Sequence, residues 1–458
     1  MKTILKKLLS VANSIQPAQF MVIGFGLVIL LGGLVLNLPI ATKNGESVGF
    51  LNSLFTATSA VCVTGLVVVD TGTYWSEFGQ FVIITLIQTG GLGFMTVATM
   101  FSLLTGKKIN LRERLLIQES LNQRDLSGLV KLTRYIIVMT FIIEGIGALL
   151  LSIVYIPALG LLRGVWYSIF HSISAFCNAG FDLMGAISGE YTSLTSFVNN
   201  SLINFVICSL IILGGIGFPV LLDIINNKKY SKLNVHSKIV INTSGILIAI
   251  GVLFIFIAEF NNKGTLGSLN MKEKLLSSVF QSVTLRTAGF NTIDLTLLSE
   301  STLFLMIILM LIGASPASTG GGLKTTTVAT LFLTVKSFIM GKEDIEVYQR
   351  RISDSTVKKS LGIFFIGVFI ALFGTLILTI VNPEFTLLEC AFEVISAFAT
   401  VGLSLGGSPS LTVLGKILII ILMFLGRVGT LTIFIALLSK NAKIKPKVRY
   451  PEGKIIVG

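Results

Sequence analysis

Four short strings that each contain a glycine recur along the 458-residue chain. They occupy residues 59–66 (SAVCVTGL), 174–181 (SAFCNAGF), 283–290 (VTLRTAGF) and 396–403 (SAFATVGL). The intervals between their glycines are 115, 109 and 113 residues, measured at Gly65, Gly180, Gly289 and Gly402. Related strings at such regular intervals predict an internal fourfold repeat, in which each string has the same role.

The chemistry that these strings could perform lies in their backbone. When four strings converge on one axis, their carbonyl oxygens can replace the hydration shell of an ion. Glycine suits this task because it reaches backbone angles that other residues avoid and has no side chain to block the axis. The alternative is that the glycines only allow close helix packing, as small residues commonly do in membranes. Recurrence in four copies favours an ion path.

Each string follows a short apolar segment that lies between two long ones. A membrane span needs about 20 apolar residues, and eight segments reach that length: 18–40, 76–104, 135–156, 196–222, 239–259, 301–335, 358–381 and 411–439. The short segments are 51–61, 164–176, 273–285 and 386–399. We expect them to be re-entrant helices whose negative C-terminal ends face the axis and favour a cation. The predicted fold is an all-α polytopic membrane protein, with four membrane–pore helix–membrane repeats (eight transmembrane helices and four re-entrant pore loops) around a pseudo-fourfold pore.

The composition agrees with a membrane protein. Charged residues make up 12% of the chain and hydrophobic residues 53%, whereas a soluble domain carries about 25% charged residues. These values exclude disordered, collagen-like and disulfide-scaffold classes and disfavour a soluble enzyme. The four cysteines lie in apolar stretches without CxxC spacing, so neither a disulfide framework nor a zinc site is predicted.

Basic residues indicate the orientation of the chain. Of the 35 Lys and Arg residues, 26 fall in the termini and in the linkers between repeats, with Lys358 and Lys359 at the start of the fourth repeat counted with the last linker; six fall on the opposite side and three within membrane segments. The positive-inside rule then places the termini and linkers in the cytoplasm, which accounts for the net charge of +13 without nucleic acid. The predicted divisions are a cytoplasmic N-terminus 1–17, repeats 18–105, 135–222, 239–335 and 358–439, cytoplasmic linkers 106–134, 223–238 and 336–357, and a cytoplasmic C-terminal tail 440–458.

The long segment 301–335 contains an interruption, GASPASTGGGLK, at residues 313–324. Pro316 and three consecutive glycines disfavour a continuous helix. We therefore expect an intramembrane loop across the cavity, with a packing kink as the alternative. A Walker A phosphate loop does not fit, because Leu323 precedes Lys324 where the pattern requires glycine.

Three basic residues lie within membrane segments, where an ionised group is costly and faces a cavity or a partner. Arg427, midway along the last span, predicts a positive barrier, with a structural ion pair as the alternative. We expect Lys324 to extend toward the cytoplasm. Arg286 lies within the third string, directly before Thr287, and we expect its side chain to point behind that string and to pair with Glu389 or Glu393.

Together these features resemble the Trk/Ktr/HKT potassium transporter superfamily, most closely the bacterial Ktr membrane (ion-translocating) subunit. The resemblance covers essentially the whole chain. Besides the four glycine strings, it rests on residues 69–72 (VDTG), 88–95 (QTGGLGFM), 214–218 (GGIGF), 426–429 (GRVG) and 449–453 (RYPEG). Pro316 departs from the loop sequence common in the family, which leaves the mobility of the loop open.

The resemblance implies that the four strings line a potassium-selectivity filter and that an intramembrane loop gates it. The implied ion-binding residues are Val63, Thr64, Gly65, Asn178, Ala179, Gly180, Thr287, Ala288, Gly289, Thr400, Val401 and Gly402. The implied gate residues are Gly313, Ser315, Ser318, Thr319, Gly320, Gly321, Gly322, Lys324 and Arg427. A glycine in all four strings is the pattern of potassium-preferring members.

The resemblance also implies partners. They are a second copy of the chain in a homodimer with one pore per protomer, membrane lipid, and a cytoplasmic ring of RCK-type nucleotide-binding regulatory subunits. Potassium is the implied transported ion in the plasma membrane, sodium is left open as an activator, and no covalently bound cofactor is expected.

Other functions remain as alternatives. An enzyme is not expected, because the sequence has no HExxH, GxSxG or nucleotide-binding motif. An ion-coupled secondary carrier of another solute would also contain broken helices, but its repeats are commonly inverted, whereas these four share one orientation. A sodium-permeable cation transporter and a membrane scaffold without transport are the further alternatives.

Overall fold

The computed structural model describes residues 17–93, 95–97, 99, 100, 111–120, 128–429, 432, 433 and 453. In these ranges the chain is almost entirely helical. The predicted N-terminal segment 1–17 and C-terminal tail 440–458 lie outside the described residues, apart from Pro17 and Gly453. Parts of the predicted linker 106–134 also lie outside them.

The first repeat has two helices flanking a short one. They are α1 (Pro17–Leu36), α2 (Phe50–Cys62) and α3 (Glu77–Leu92). Ser76 caps the start of α3: its hydroxyl accepts a hydrogen bond from the amide of Gly79, a common way to satisfy a free N–H at a helix start. It ends at Gly93, whose φ of +80° is a left-handed conformation that glycine adopts without strain.

The second repeat contains a sharp bend. Helix α4 (Leu111–Ser120) lies in the predicted linker before it, and the repeat itself contains α5 (Leu129–Leu159), α6 (Leu161–Phe176), α7 (Ser201–Ile216) and α8 (Phe218–Asn227). Helices α7 and α8 meet at an angle of 98°. The break is at Gly217, which has a φ of +99° and is followed by Phe218 and Pro219 at the start of α8. The segment 196–222, which the sequence predicts as a span, is therefore divided by a bend at this glycine.

The third repeat has a broken second helix. It comprises α9 (Val235–Glu259), α10 (Met271–Thr284), α11 (Glu300–Leu311) and α12 (Thr325–Ile339). The chain between α11 and α12 is irregular, where the sequence predicts an interruption. Ile312 and Leu323 pair across this loop in an isolated parallel bridge, so its two ends lie side by side.

A small hairpin precedes the fourth repeat. Its strands are β1 (Glu346–Val347) and β2 (Arg350–Arg351). The repeat itself comprises α13 (Asp354–Val381), α14 (Leu387–Phe398) and α15 (Val413–Val428). Short helical turns complete the described structure at Pro39–Ala41, Thr71–Tyr74, Gly185–Ser188, Thr195–Phe197, Tyr230–Lys232, Leu295–Leu297 and Gly407–Ser410.

Membrane-spanning capacity is concentrated in the first helix of each repeat. Among the described residues, α1, α5, α9 and α13 are long and apolar enough to cross a membrane, and the bent pair α7–α8 makes a fifth if it counts as one span. Helices α3 and α15 have 16 residues each. The predicted mostly helical fold with several apolar helices is confirmed, whereas the number of eight crossings and the re-entrant nature of the short segments stay predictions.

The four short helices α2, α6, α10 and α14 occupy the centre of the molecule. Each carries a fully buried phenylalanine in its first or middle turns, and these are Phe55, Phe170, Phe280 and Phe392. Each helix ends within one of the glycine strings, three to five positions before its glycine. The long helices surround this centre and present large apolar side chains outward, as a lipid-facing surface requires.

Close helix packing in the second repeat gives a stability test. A Cβ atom on Gly164 of α6 would lie 2.6 Å from Cα of Ile156, which belongs to α5. Because backbone cannot yield as a side chain can, we expect Gly164→Ala to destabilise the protein by about 1–3 kcal/mol. The matched control is Gly145→Ala in α5, where no atom lies within 4 Å. Thermal stability of both purified variants in detergent measures the effect, and equal melting temperatures would contradict this packing.

Candidate functional site

The four glycine strings form a closed ring. A Cβ atom built on each glycine would contact the carbonyl oxygen of the residue that precedes the glycine of the following repeat. These contacts join Gly65 to Ala179, Gly180 to Ala288, Gly289 to Val401, and Gly402 back to Thr64. The separation is 2.7 Å at Gly180 and 2.8 Å at Gly289, too short for a real Cβ. The strings are therefore packed backbone to backbone in the order of the repeats.

The strings share an unusual backbone conformation. Their glycines have φ values between +70° and +96°. The residues two positions earlier, Val63, Asn178, Thr287 and Thr400, also have positive φ, between +53° and +69°. Three of these are β-branched, and such residues rarely adopt this conformation, at a cost on the order of 1–3 kcal/mol each. All four are fully buried, so the surrounding structure holds the strain in place.

Hydroxyl groups at the ends of the short helices support the strings. The Ser59 hydroxyl accepts from the amide of Gly65, and the Ser396 hydroxyl accepts from that of Gly402, both at 3.1 Å. Ser174 donates to the carbonyl of Phe181, and Thr284 donates to that of Phe290. We did not predict this role from the sequence. A serine stands first in three of the four strings, and that was the available signal.

A cavity of about 740 Å³ opens on one side of the ring. All four glycines line it, together with the carboxylates of Asp70, Asp182 and Glu190. Asp70 is held by the amides of Thr73 and Tyr191, at 2.8 and 3.0 Å from its two oxygens. Burial, reinforced by the negative charge of Asp70, raises the pKa of Asp182 to about 7. The cavity therefore offers a negatively charged entrance to the ring.

The loop between α11 and α12 lies against the other side of the ring. The Thr319 hydroxyl is 3.0 Å from Oδ1 of Asn178, and the amide of Gly321 donates to the hydroxyl of Thr400 at 3.0 Å. A Cβ atom on Gly320 would overlap the hydroxyl of Thr287. Three of the four strings thus touch the loop, each through the residue two positions before its glycine.

The loop is also tied to the second repeat and to itself. The amides of Ser315 and Thr319 donate to the carbonyls of Gly215 and Gly214, at 3.0 and 3.2 Å. Within the loop, the Ser318 hydroxyl donates to the carbonyl of Ser315 at 2.7 Å. Gly313 and Gly322 pack so closely that a Cβ on Gly313 would lie 2.9 Å from Cα of Gly322. The predicted gate residues are thus brought together under the ring.

Lys324 folds back onto this loop. Its Nζ donates to the carbonyls of Gly320 and Gly321, at 2.8 and 3.4 Å. The prediction that Lys324 extends toward the cytoplasm is wrong, because the ammonium group donates to carbonyls of the loop instead.

Arg427 joins three repeats through backbone carbonyls. Its Nη1 donates to the carbonyl of Thr319 in the loop, and its Nη2 donates to the carbonyls of Gly90 and Gly91 near the end of α3. Within the described part of the chain, no carboxylate forms an ion pair with it; the ion pairs there all involve Lys342 or Arg351. Arg427 therefore acts structurally as a strap across the loop.

The prediction that Arg286 pairs with Glu389 or Glu393 is wrong. Its two terminal nitrogens donate to the carbonyls of Ile312 and Gly313, at 2.6 and 2.7 Å. Both residues directly follow the last residue of α11, at the negative end of its dipole, and the guanidinium donates to both carbonyls. Glu389 instead closes a capping box with Thr386, and Glu393 accepts from the hydroxyls of Ser404 and Ser408.

Comparison with known proteins identifies the family of this chain. The family model TrkH, described as a cation transport protein, matches residues 20–444. The potassium/sodium uptake protein NtpJ of Enterococcus hirae is 41% identical, and the match covers 100% of both chains. The Ktr system potassium uptake protein B of Bacillus subtilis is 42% identical over 96% of this chain and 97% of its own.

A solved structure shares the fold. The potassium transporter TrkH from Vibrio parahaemolyticus aligns with a TM-score of 0.68 and 18% identity, over 91% of this chain and 83% of its own. At that identity the likeness concerns the fold alone. Because the family model covers nearly the whole chain and two relatives above 40% identity cover 100% and 96% of it, this protein belongs to the TrkH family of cation transport proteins.

Proposed function

We propose that this protein takes up potassium across the plasma membrane as the pore-forming subunit of a Ktr-like system. The observation that carries the proposal is the closed ring, in which each glycine faces the carbonyl of the next repeat. Such a ring supplies the oxygen ligands that replace the hydration shell of a potassium ion. The full-length relatives named as potassium or potassium/sodium uptake proteins support the choice of ion.

In this proposal the strings are the selectivity filter. Potassium would be coordinated by backbone carbonyls of residues 63–65, 178–180, 287–289 and 400–402. The acidic cavity on one side would concentrate cations before they enter, and the C-terminal ends of the four short helices would add partial negative charge. The ion would enter from the outside, because the basic linkers assign the opposite side to the cytoplasm.

The loop between α11 and α12 is the proposed gate. It lies directly behind the strings, where an ion leaving the filter toward the cytoplasm would have to pass. Arg427 fixes the loop through the carbonyl of Thr319 and adds positive charge on the same side. Opening would require this strap and the hydrogen bonds of the loop to the strings to break together.

We further propose that regulation comes from a separate polypeptide. Relatives with full-length similarity are named as proteins B and D of Ktr systems, and this chain carries no nucleotide-binding motif. A cytoplasmic RCK-type ring would dock on the basic linkers and the C-terminal tail. The functional unit would be a homodimer with eight crossings per protomer and both termini in the cytoplasm. Sodium remains open as an activator.

Substitution of a ring glycine tests the filter. We expect Gly65→Ser and Gly289→Ser to lower the ratio of potassium to sodium uptake at least about tenfold, equivalent to 1.4 kcal/mol, because the new Cβ displaces a neighbouring carbonyl. Gly245→Ser in α9, where no atom lies within 4 Å, is the matched control. Uptake of both ions into proteoliposomes measures the ratio. An unchanged ratio in both ring variants would remove the filter assignment, and a wild-type ratio near one would favour a sodium-permeable transporter.

Removal of the strap tests the gate. Arg427→Gln loses charge-assisted hydrogen bonds to the carbonyls of Thr319 and Gly90, each worth about 1.5–3 kcal/mol. We expect potassium flux without a regulatory subunit to rise about tenfold or more, and deletion of Gly320–Gly322 to act in the same direction. Arg163→Gln, at an exposed arginine at the start of α6, is the control. Flux equal to that of the wild type in every loop and strap variant would rule out this gate.

The acidic cavity predicts a pH dependence. Because the pKa of Asp182 is raised to about 7, its charge is present at pH 8 and largely lost at pH 6. We expect the apparent KM for potassium to rise as the external pH falls through this range, and Asp182→Asn to give a high KM that no longer changes with pH. Asp294→Asn, at another acid on the cavity wall, should leave the pH dependence in place. Uptake assays at graded external pH decide between these outcomes.

A further inference from the structure

We infer that Asn178 is a latch that links the gating loop to the filter, so that the position of the loop sets ion selectivity as well as flux. The inference rests on the proposed function, because it assumes that the strings select the ion and that the loop gates it. It adds a coupling between these two parts, which a gate acting only as a barrier would lack.

The amide group of Asn178 connects three segments. Its Nδ2 donates to the carbonyl of Arg286 in the third string at 3.1 Å, and its Oδ1 accepts from the hydroxyl of Thr319 in the loop at 3.0 Å. The same hydroxyl lies 3.2 Å from the carbonyl of Phe176, at the end of α6, so the two acceptors share its proton. The amide orientation follows from chemistry, because only the nitrogen can donate to the Arg286 carbonyl. Asn178 therefore holds its own string, the neighbouring string and the loop with one planar group.

The surroundings of Asn178 are shaped for this contact. The residue is fully buried and has a φ of +59°, a conformation that asparagine tolerates better than most residues. A Cβ atom on Gly214 of α7 would lie 2.6 Å from Oδ1 of Asn178 and 2.9 Å from the Thr319 hydroxyl. One on Gly215 would lie 3.3 Å from Nδ2. Because Gly214 and Gly215 of α7 have no side chains, they leave room for the amide group of Asn178.

The equivalent positions of the other strings differ in what they offer the loop. Thr400 accepts a hydrogen bond from the Gly321 amide, and it belongs to the string opposite that of Asn178 in the ring. Thr287 contacts Gly320 but has no hydrogen-bond partner for its hydroxyl. Val63 offers no polar group. Among the four equivalent positions, Asn178 is therefore the one whose side chain hydrogen-bonds both to a side chain of the loop and to a neighbouring string.

Movement of the loop would alter the ring through this residue. When Thr319 withdraws, the buried Oδ1 of Asn178 loses its partner, and an unsatisfied buried acceptor drives the amide to reorient. Reorientation releases Nδ2 from the Arg286 carbonyl, which joins the second and third strings. The spacing between these strings then relaxes, and the carbonyl ring fits potassium less strictly.

Thr319→Val tests the latch because it removes the hydroxyl and preserves the shape of the side chain. We expect the ratio of potassium to sodium uptake to fall about fivefold, which corresponds to one hydrogen bond of about 1 kcal/mol. Thr319→Ser retains the hydroxyl and should retain the wild-type ratio. Thr375→Val, at a buried threonine of α13 that bonds only within its own helix, is the matched control. Thr319→Ala carries the same expectation as valine and serves if the valine variant does not assemble.

A double-mutant cycle tests whether the effect of Thr319 on the uptake ratio is transmitted through Asn178. Asn178→Gly tolerates the positive φ and removes both hydrogen bonds, so it should lower the ratio by itself, and Thr319→Val should then have no further effect. Equal increases of potassium and sodium uptake in Thr319→Val would show a gate without coupling and overturn the inference. An undiminished effect of Thr319→Val in the Asn178→Gly background would overturn it as well. Wild-type protein that takes up sodium as readily as potassium would instead overturn the proposed function.

Discussion

The contact between each ring glycine and the carbonyl of the next repeat is the constraint on which the structure depends. It requires four strings, more than 100 residues apart in sequence, to meet with no side chain between them. That closeness forces positive φ at the glycines and at the residues two positions before them. The strain can persist only in a rigid setting, which the short helices and their terminal hydroxyls provide.

A second consequence concerns unpaired carbonyls. The second helix of every repeat stops below the ring. In the first, second and fourth repeats it stops at Gly93, Gly217 and Gly429, and in the third repeat it stops at Leu311. Ends of helices leave carbonyls without intrahelical partners. Arg286 and Arg427 donate to carbonyls at or next to such ends, and Lys324 donates to carbonyls of the irregular loop that follows α11. Their positive charges therefore stabilise broken backbone, and the same charges stand beside the proposed ion path.

The sequence predicted the short helices and strings well because both carry local signals. Predicted segment 51–61, for example, is helix Phe50–Cys62 in the structure. The partners of Arg286 and Lys324 were missed for a physical reason: a backbone carbonyl has no signature in the sequence, whereas a carboxylate does. The bend at Gly217 was missed because apolar residues continue on both sides of it, so hydropathy alone cannot reveal a change of direction.

The departure from fourfold symmetry explains why a single loop can serve the whole ring. Three repeats end their second helix at one glycine, but the third inserts an irregular segment long enough to reach the second and fourth strings. An element fixed within one repeat could respond only to that repeat. Because the loop is bonded to the second repeat by backbone and strapped by Arg427 to the first and fourth, displacement in any repeat changes its anchoring. The loop, although it is inserted in one repeat, can therefore respond to a displacement in any of the four repeats around the pore.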